Sequence, residues 1–154
     1  MTQLAQNLKR LTCLFFLIPM LPFLLAGCSG NERPKTIPVT GTVTIDGKLL
    51  PKGTVTFQPK SSSEGNVKRP AIGQIDTTGR VQLSTFEAGD GVLPGSYAVV
   101  ITAFENDPTA EEYAAGVKRK SLIPDKYSNA LTSGLEADVA EGKNDFTFDL
   151  KSRK

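Results

Sequence analysis

Residues 38–47 read Pro-Val-Thr-Gly-Thr-Val-Thr-Ile-Asp-Gly, and this stretch decides the fold. Val39, Gly41, Val43 and Ile45 alternate with Thr40, Thr42 and Thr44. A period of two puts the apolar set on one face of an extended strand and the hydroxyls on the other. Asp46-Gly47 then marks a tight turn, because glycine adopts positive φ without steric cost. Working outward, the same pattern returns at short intervals. Val55 and Phe57 alternate with Thr54, Thr56 and Gln58; Ala71, Gly73 and Ile75 follow; Val81 and Leu83 come after an Asp76-Thr77-Thr78-Gly79 turn. Residues 97–104 (YAVVITAF) are almost continuously apolar and β-branched, as a central strand covered on both faces would be. Leu135, Ala137 and Val139 form a short strand, and Phe146, Phe148 and Leu150 alternate with Thr147, Asp149 and Lys151. These seven strands without a long helix predict an all-β domain over residues 38–151, a seven-stranded antiparallel Greek-key sandwich.

Two connections are long. Residues 59–70 (PKSSSEGNVKRP) are Ser-rich and charged, the composition of a hairpin tip. Residues 106–121 (NDPTAEEYAAGVKRKS) have room for one or two helical turns. Asp107 can cap such a helix, Pro108 suits its first position, Thr109 with Glu112 has the spacing of a capping box, and Gly116 would end it.

Upstream of the domain the chain has a different character. Residues 1–10 are polar and end in Lys9-Arg10, residues 11–25 (LTCLFFLIPMLPFLL) are apolar throughout, and Ala26-Gly27 are small. This order is that of a secretory signal. The apolar run is short of the roughly 20 residues a membrane-crossing helix needs, and Pro19 and Pro22 interrupt it. An uncleaved anchor is therefore disfavoured. The junction Leu25-Ala26-Gly27-Cys28 resembles the lipobox of bacterial lipoproteins. That resemblance implies cleavage before Cys28, diacylglycerol on its sulfur and a further acyl chain on its amine. One acyl chain binds a bilayer only marginally, whereas two or three, at about 0.8 kcal/mol per buried CH₂, make a durable anchor. The same resemblance implies that Ser29, in place of Asp after the lipidated cysteine, favours the outer over the inner membrane of a Gram-negative envelope. A disulfide to Cys13, the one other cysteine, would be lost with the signal. The expected organisation is a signal peptide over 1–27, a lipidated tether over 28–37 and the β domain beyond. The polar stretch Ser29–Ile37 (SGNERPKTI) reaches about 30 Å when extended.

Composition excludes several chemistries. The 154 residues include no His and no Trp, which removes Ser-His and Cys-His nucleophiles, His-ligated zinc and a His general base. Two Cys cannot build a Cys-rich metal site. Loss of Lys9 and Arg10 with the signal brings the 18 basic side chains level with the 16 acidic ones. A mature chain of zero formal charge has no field to gather nucleic acid, so no nucleic-acid partner is expected.

Three phrases carry a family resemblance: Val39-Thr40-Gly41-Thr42-Val43 leading through Asp46-Gly47-Lys48-Leu49-Leu50 to Gly53-Thr54-Val55-Thr56-Phe57; Ile75-Asp76-Thr77-Thr78-Gly79-Arg80-Val81-Gln82-Leu83; and Leu93-Pro94-Gly95-Ser96-Tyr97. In this order they resemble the carboxypeptidase regulatory-like domains, which implies a transthyretin-like (prealbumin-like) sandwich over about residues 38–104. The tail, from Ile123-Pro124-Asp125-Lys126-Tyr127 through Gly142-Lys143-Asn144, is similar to that of small bacterial lipoproteins carrying this domain. Transthyretin-like hydrolases of 5-hydroxyisourate depend on histidines and a C-terminal Tyr-Arg-Gly-Ser. This chain has no histidine and ends Lys151-Ser152-Arg153-Lys154, so that activity is excluded.

What remains for chemistry is carboxylate and aromatic. Glu136 and Asp138 share one side of a strand, about 7 Å apart, a spacing within the range of a glycosidase pair, although strand carboxylates ordinarily face water. Glu105, Asn106, Asp107 and Asp125 are oxygen donors without the loop spacing of a calcium site. Lys118-Arg119-Lys120 is the one basic cluster, suited to lipid headgroups or simply to a solvated loop. Tyr113 and Tyr127 are the tyrosines available to stack on sugar rings. The sequence thus points to a non-catalytic, lipid-anchored β module of the cell envelope, without cofactor or metal, that acts as a structural or interaction module toward an envelope protein or glycan. The alternative is a carbohydrate-binding module using Tyr113 and Tyr127.

Overall fold

The computed structural model describes residues 33–60, 69–142 and 144–152. Cys28, the signal peptide and most of the tether lie outside these residues. The described strands belong to one compact unit, Pro34–Lys154.

The regular structure of the described residues is mostly β. The strands are β1 (Thr40–Ile45), β2 (Lys48–Leu49), β3 (Gly53–Pro59), β4 (Ala71–Ile75), β5 (Arg80–Gln82), β6 (Gly95–Thr102), β7 (Leu135–Val139) and β8 (Asp145–Leu150). Between β6 and β7 lie helix α1 (Ala110–Ala114) and a 3-10 turn at Asp125–Ser128. Each of the seven expected strands is present within two residues of its expected ends. The addition is β2. Asp46 and Gly47 both have positive φ (50° and 77°), the conformation of a two-residue hairpin turn, so Ile45 comes to pair with Lys48 and Thr44 with Leu49.

The strands form one curled sheet in the order β2-β1-β5-β4-β3-β6-β7, with β8 also on β1. Strand β1 holds two sets of neighbours on opposite sides. The Val43 amide donates to Gly79 and the Val43 carbonyl accepts from Leu50, toward β5 and β2, while the Thr40 amide donates to Asn144 at 3.0 Å, toward β8. Every ladder is antiparallel except β1–β8, which is parallel over Thr40–Ile45 and Asp145–Leu150. The expectation of an all-antiparallel arrangement fails at this one pair. A parallel pair needs a crossover rather than a hairpin, and here the whole intervening domain supplies it.

Curling brings the inner face of β3 against β8. The Phe57 ring lies 5.8 Å from Phe146, 6.2 Å from Phe148 and 5.7 Å from Tyr97, centroid to centroid. Around these rings pack Val39, Val43, Val55, Val99, Ile101 and Leu150, all without solvent exposure. The alternation of residues 39–45 is what fills this core: Val39 and Val43 point inward while Thr40, Thr42 and Thr44 stay half-exposed. Fully burying each Val or Phe is worth about 1.5–3 kcal/mol, which is why the register holds. Tyr97 is 1 % exposed, and its hydroxyl donates to the Leu93 carbonyl at 2.7 Å. Its ring can be buried because its polar end is satisfied.

Candidate functional site

The excursion between β6 and β7 carries most of the chemistry the sequence singles out. Ala103–Phe104 leaves β6, and Phe104 bridges to Ser121, closing the loop at its base. Within it Thr109 caps α1: its hydroxyl accepts from the Glu112 amide at 3.3 Å, and the Glu112 carboxylate accepts from the Thr109 amide at 2.7 Å. The capping box expected from Thr109 and Glu112 is therefore formed, and Thr109, not Asp107, is the cap. Gly116 follows the helix with φ 88°.

Asp107 has another partner. Its carboxylate accepts from the Arg119 guanidinium at 2.6 Å, and that guanidinium lies 4.9 Å from the Phe104 ring and 5.9 Å from the Tyr113 ring. Lys120 pairs with Glu105 at 2.5 Å, and this contact holds the Glu105 carboxyl below its ordinary value. The Asn106 side chain accepts from the Lys120 amide and donates to the Lys118 carbonyl. Two of the three cations in Lys118-Arg119-Lys120 are thus spent on closing their own loop. The carboxylates of Glu105 and Asp107 are spent with them. Among the described residues no group of three or more His, Cys, Asp and Glu side chains is placed to hold a metal ion.

The loop overhangs the outer face of β3, β4 and β6. Lys52, Thr54, Gln74, Thr102, Asn106 and Arg119 line a polar cleft of about 390 Å³ there. Thr54 donates to the Gln74 side chain at 3.2 Å, and Lys52 donates to the Glu105 carbonyl at 2.7 Å. Sequence reasoning missed this cleft. Its signal is the row of outward Thr and Gln on three strands, which reads as ordinary solvent-facing alternation until the sheet order is known. A second groove of about 710 Å³, lined by Pro34, Ile37, Leu93, Pro94 and Val139, sits where the expected tether joins the domain.

The two tyrosines separate. Tyr113 is 46 % exposed on α1, beside Arg119. Tyr127 is only 4 % exposed, a correction to its reading as a contact residue. Pro124 opens the 3-10 turn, the Tyr127 amide donates to the Pro124 carbonyl, and the ring turns into the core beside Ile123. Its hydroxyl accepts from the Lys151 amide at 2.9 Å, and Lys126 lies over the ring. No face of Tyr127 is left for a sugar.

Glu136 and Asp138 do share the exposed face of β7, as expected from strand periodicity. Both are engaged across strands: Glu136 with Lys60, Asp138 as acceptor from the Ser96 hydroxyl at 2.5 Å. Other carboxylates brace the fold. Asp145 and Asp149 on β8 accept from Thr40 and Thr44 on β1. The Thr78 hydroxyl, with the Arg80 and Thr78 amides, holds the Asp76 carboxyl below its ordinary value and fixes the β4–β5 turn. The Ser152 contact does the same for Asp46. Burial pushes the Asp90 carboxyl up, but bonds from the Thr85, Phe86 and Glu87 amides outweigh it and hold it low. Asp90 organises the loop before β6, a role that sequence reasoning also missed.

Among the described residues no helix is long and apolar enough to cross a membrane. No family model, curated protein or solved structure matches the chain.

Proposed function

We propose that the chain is a lipid-anchored, non-catalytic β module of the cell envelope, moored through Cys28 and acting by contact with an envelope protein. The mooring rests on the Leu25-Ala26-Gly27-Cys28 junction at the end of a short apolar run. Ser29 directs the proposal to the outer membrane. One observation carries the contact role: Asp76, Asp90, Asp138, Asp145, Asp149, Glu105 and Glu112 all spend their carboxylates on hydrogen bonds or ion pairs that brace turns, strands and loops. Acid–base catalysis needs a carboxyl free to exchange its proton with a substrate. A rigid sheet bearing long braced loops is instead a contact surface. The Greek-key, transthyretin-like form of the sandwich and the kinship with carboxypeptidase regulatory-like domains belong to the same proposal, supported by the order of the three sequence phrases.

Replacing Cys28 by Ala tests the mooring. The variant should lose membrane partition in its native cells, and retention of the variant in the membrane fraction would refute the anchor.

A second reading, binding of a glycan, is favoured by the position of Tyr113. It is exposed, and Arg119 beside it lines the polar cleft of Thr54, Gln74 and Thr102. Flat aromatic and amide groups around a groove suit a sugar ring. On this reading a glycan array gives signals that Tyr113→Ala removes and Tyr127→Ala, beneath the surface, does not remove by direct contact. A silent array rejects it.

A further inference from the structure

Among the described residues strand β7 ends the sheet, pairing with β6 on one side only. The direction of its free groups follows from the ladder. The Lys60 amide donates to the Ser96 carbonyl at 3.0 Å, so the backbone groups of Ser96 point toward β3. Ser96 stands opposite Asp138, which makes that pair a non-hydrogen-bonded one. Asp138, and Glu136 two residues earlier, therefore turn their N–H and C=O groups away from β6. Both residues are exposed, and among the described residues no group bonds to these backbone atoms.

Such an edge is a template for another strand, and folded proteins usually guard it with lysine, proline, a bulge or a cover. The Leu135-Glu136-Ala137-Asp138-Val139 edge has no proline and no lysine of its own. Its outward side chains are two carboxylates. Lys60 partners Glu136, whereas Asp138 has a neutral hydroxyl for a partner. Inward, Ala137 and Val139 are buried, but Leu135 and, on β8, Phe146 are half-buried flanks of the core. The edge thus offers backbone hydrogen bonds, an acidic outer row and apolar surface beneath.

We propose that the outer edge of β7 takes an extended peptide segment of a partner as an added strand, with basic side chains outward and apolar ones inward. Charge selects this occupant: a second copy of β7 would set Glu136 and Asp138 against carboxylates, which costs energy across strands, while lysine or arginine there is attracted. Backbone bonds supply affinity and the alternating side chains supply the choice of partner. The inference names the partner chemistry for the contact role proposed above and rests on that role, not on the anchor.

The test uses the full chain in a neutral detergent and a fluorescent peptide alternating lysine with valine, read by anisotropy. The peptide is expected to bind, and one alternating glutamate with valine is not. Methylating the amide nitrogens on the pairing side of the peptide removes two or more hydrogen bonds and should weaken binding about tenfold or more. This arm leaves the protein untouched. Asp138→Pro deletes an outward N–H and no backbone bond to β6, together with the carboxylate that accepts from Ser96. Compared with Asp138→Ala, which loses only that carboxylate, it should weaken binding further, as edge positions tolerate proline. The pair Glu136→Gln and Asp138→Asn should weaken binding several-fold at low salt and flatten its salt dependence. Absence of binding, equal binding of the methylated peptide, or a dimer of the chain that excludes the peptide would overturn the assignment. Crosslinks to an envelope protein that survive Asp138→Pro would keep the contact role and remove the β7 edge from it.

Discussion

Tyr97 shows how one residue ties the sheet to its approach loop. Its hydroxyl reaches back to the Leu93 carbonyl while its ring packs on Phe57. Tyr97→Phe keeps the ring and strands a buried acceptor, so it should lower unfolding free energy by about 1 kcal/mol, measured by denaturant melts with an unchanged slope. Asp90 is the second such residue. Asp90→Ala removes three amide bonds from the segment Thr85–Glu87 and should cost about 1–2 kcal/mol, discounted for its partial exposure. Its carboxyl and that of Asp76 sit below the ordinary 3.8 in the folded chain. A carboxylate held low stabilises the fold above its unfolded value and loses that contribution as pH falls toward the folded one. The chain should therefore hold its stability from neutral pH down to about pH 4 and lose it progressively below. In Asp90→Ala the loss on acidification should be smaller. Equal acid sensitivity of the two proteins would remove Asp90 from this account.

At the scale of elements, β4 and β5 meet so closely that Gly73 has no room for a side chain. A Cβ there would lie 2.4 Å from the Gln82 carbonyl oxygen and 2.5 Å from Val81. Gly73→Ala should destabilise by at least about 2 kcal/mol, because the obstacle is backbone and cannot rotate away. Helix α1 behaves oppositely. It buries no residue, so Thr109→Ala should melt its capping box and release Tyr113 while leaving the global unfolding midpoint nearly unchanged. Amide exchange confined to Ala110–Ala114 checks this. The strands were legible because each repeats an apolar residue every second position, and Val39, Val43, Val55, Phe57, Phe148 and Leu150 are buried where that pattern puts them. The capping box was legible because its two halves are three residues apart. Tyr127 was not: its neighbours Asp125, Lys126 and Ser128 are those of a loop, and only the 3-10 turn and the Lys151 amide make it a core residue. Nor could alternation reveal the parallel pairing of β1 with β8, since pairing partners 105 residues apart leave no local trace. The polar cleft and the β7 edge were illegible for the same reason, both being products of strand order.

At the scale of the whole molecule, a braced β domain follows in sequence the leader for which lipidation at Cys28 is proposed. The carboxylates of Asp145, Asp149, Asp76, Asp138 and Asp90 hold Thr40, Thr44, Thr78, Ser96 and the 85–90 loop in place. The β7 edge with Glu136 and Asp138, and the polar cleft of Thr54, Gln74, Thr102 and Arg119, are the surfaces on which the proposed contacts rest. Their value depends on where the domain is held. On the proposed mooring, Cys28 stands nine residues before Ile37, which already bridges to Val92 in the domain, so partners would lie within about 30 Å of the attachment point, close to the membrane surface. The attachment is therefore the claim to test. Intact-mass spectrometry of the protein purified from membranes of its native cells should find a chain that begins at Cys28 and carries the added mass of diacylglycerol and a further acyl chain. A chain that still begins at Met1, or a Cys28 with an unmodified sulfur, would contradict it.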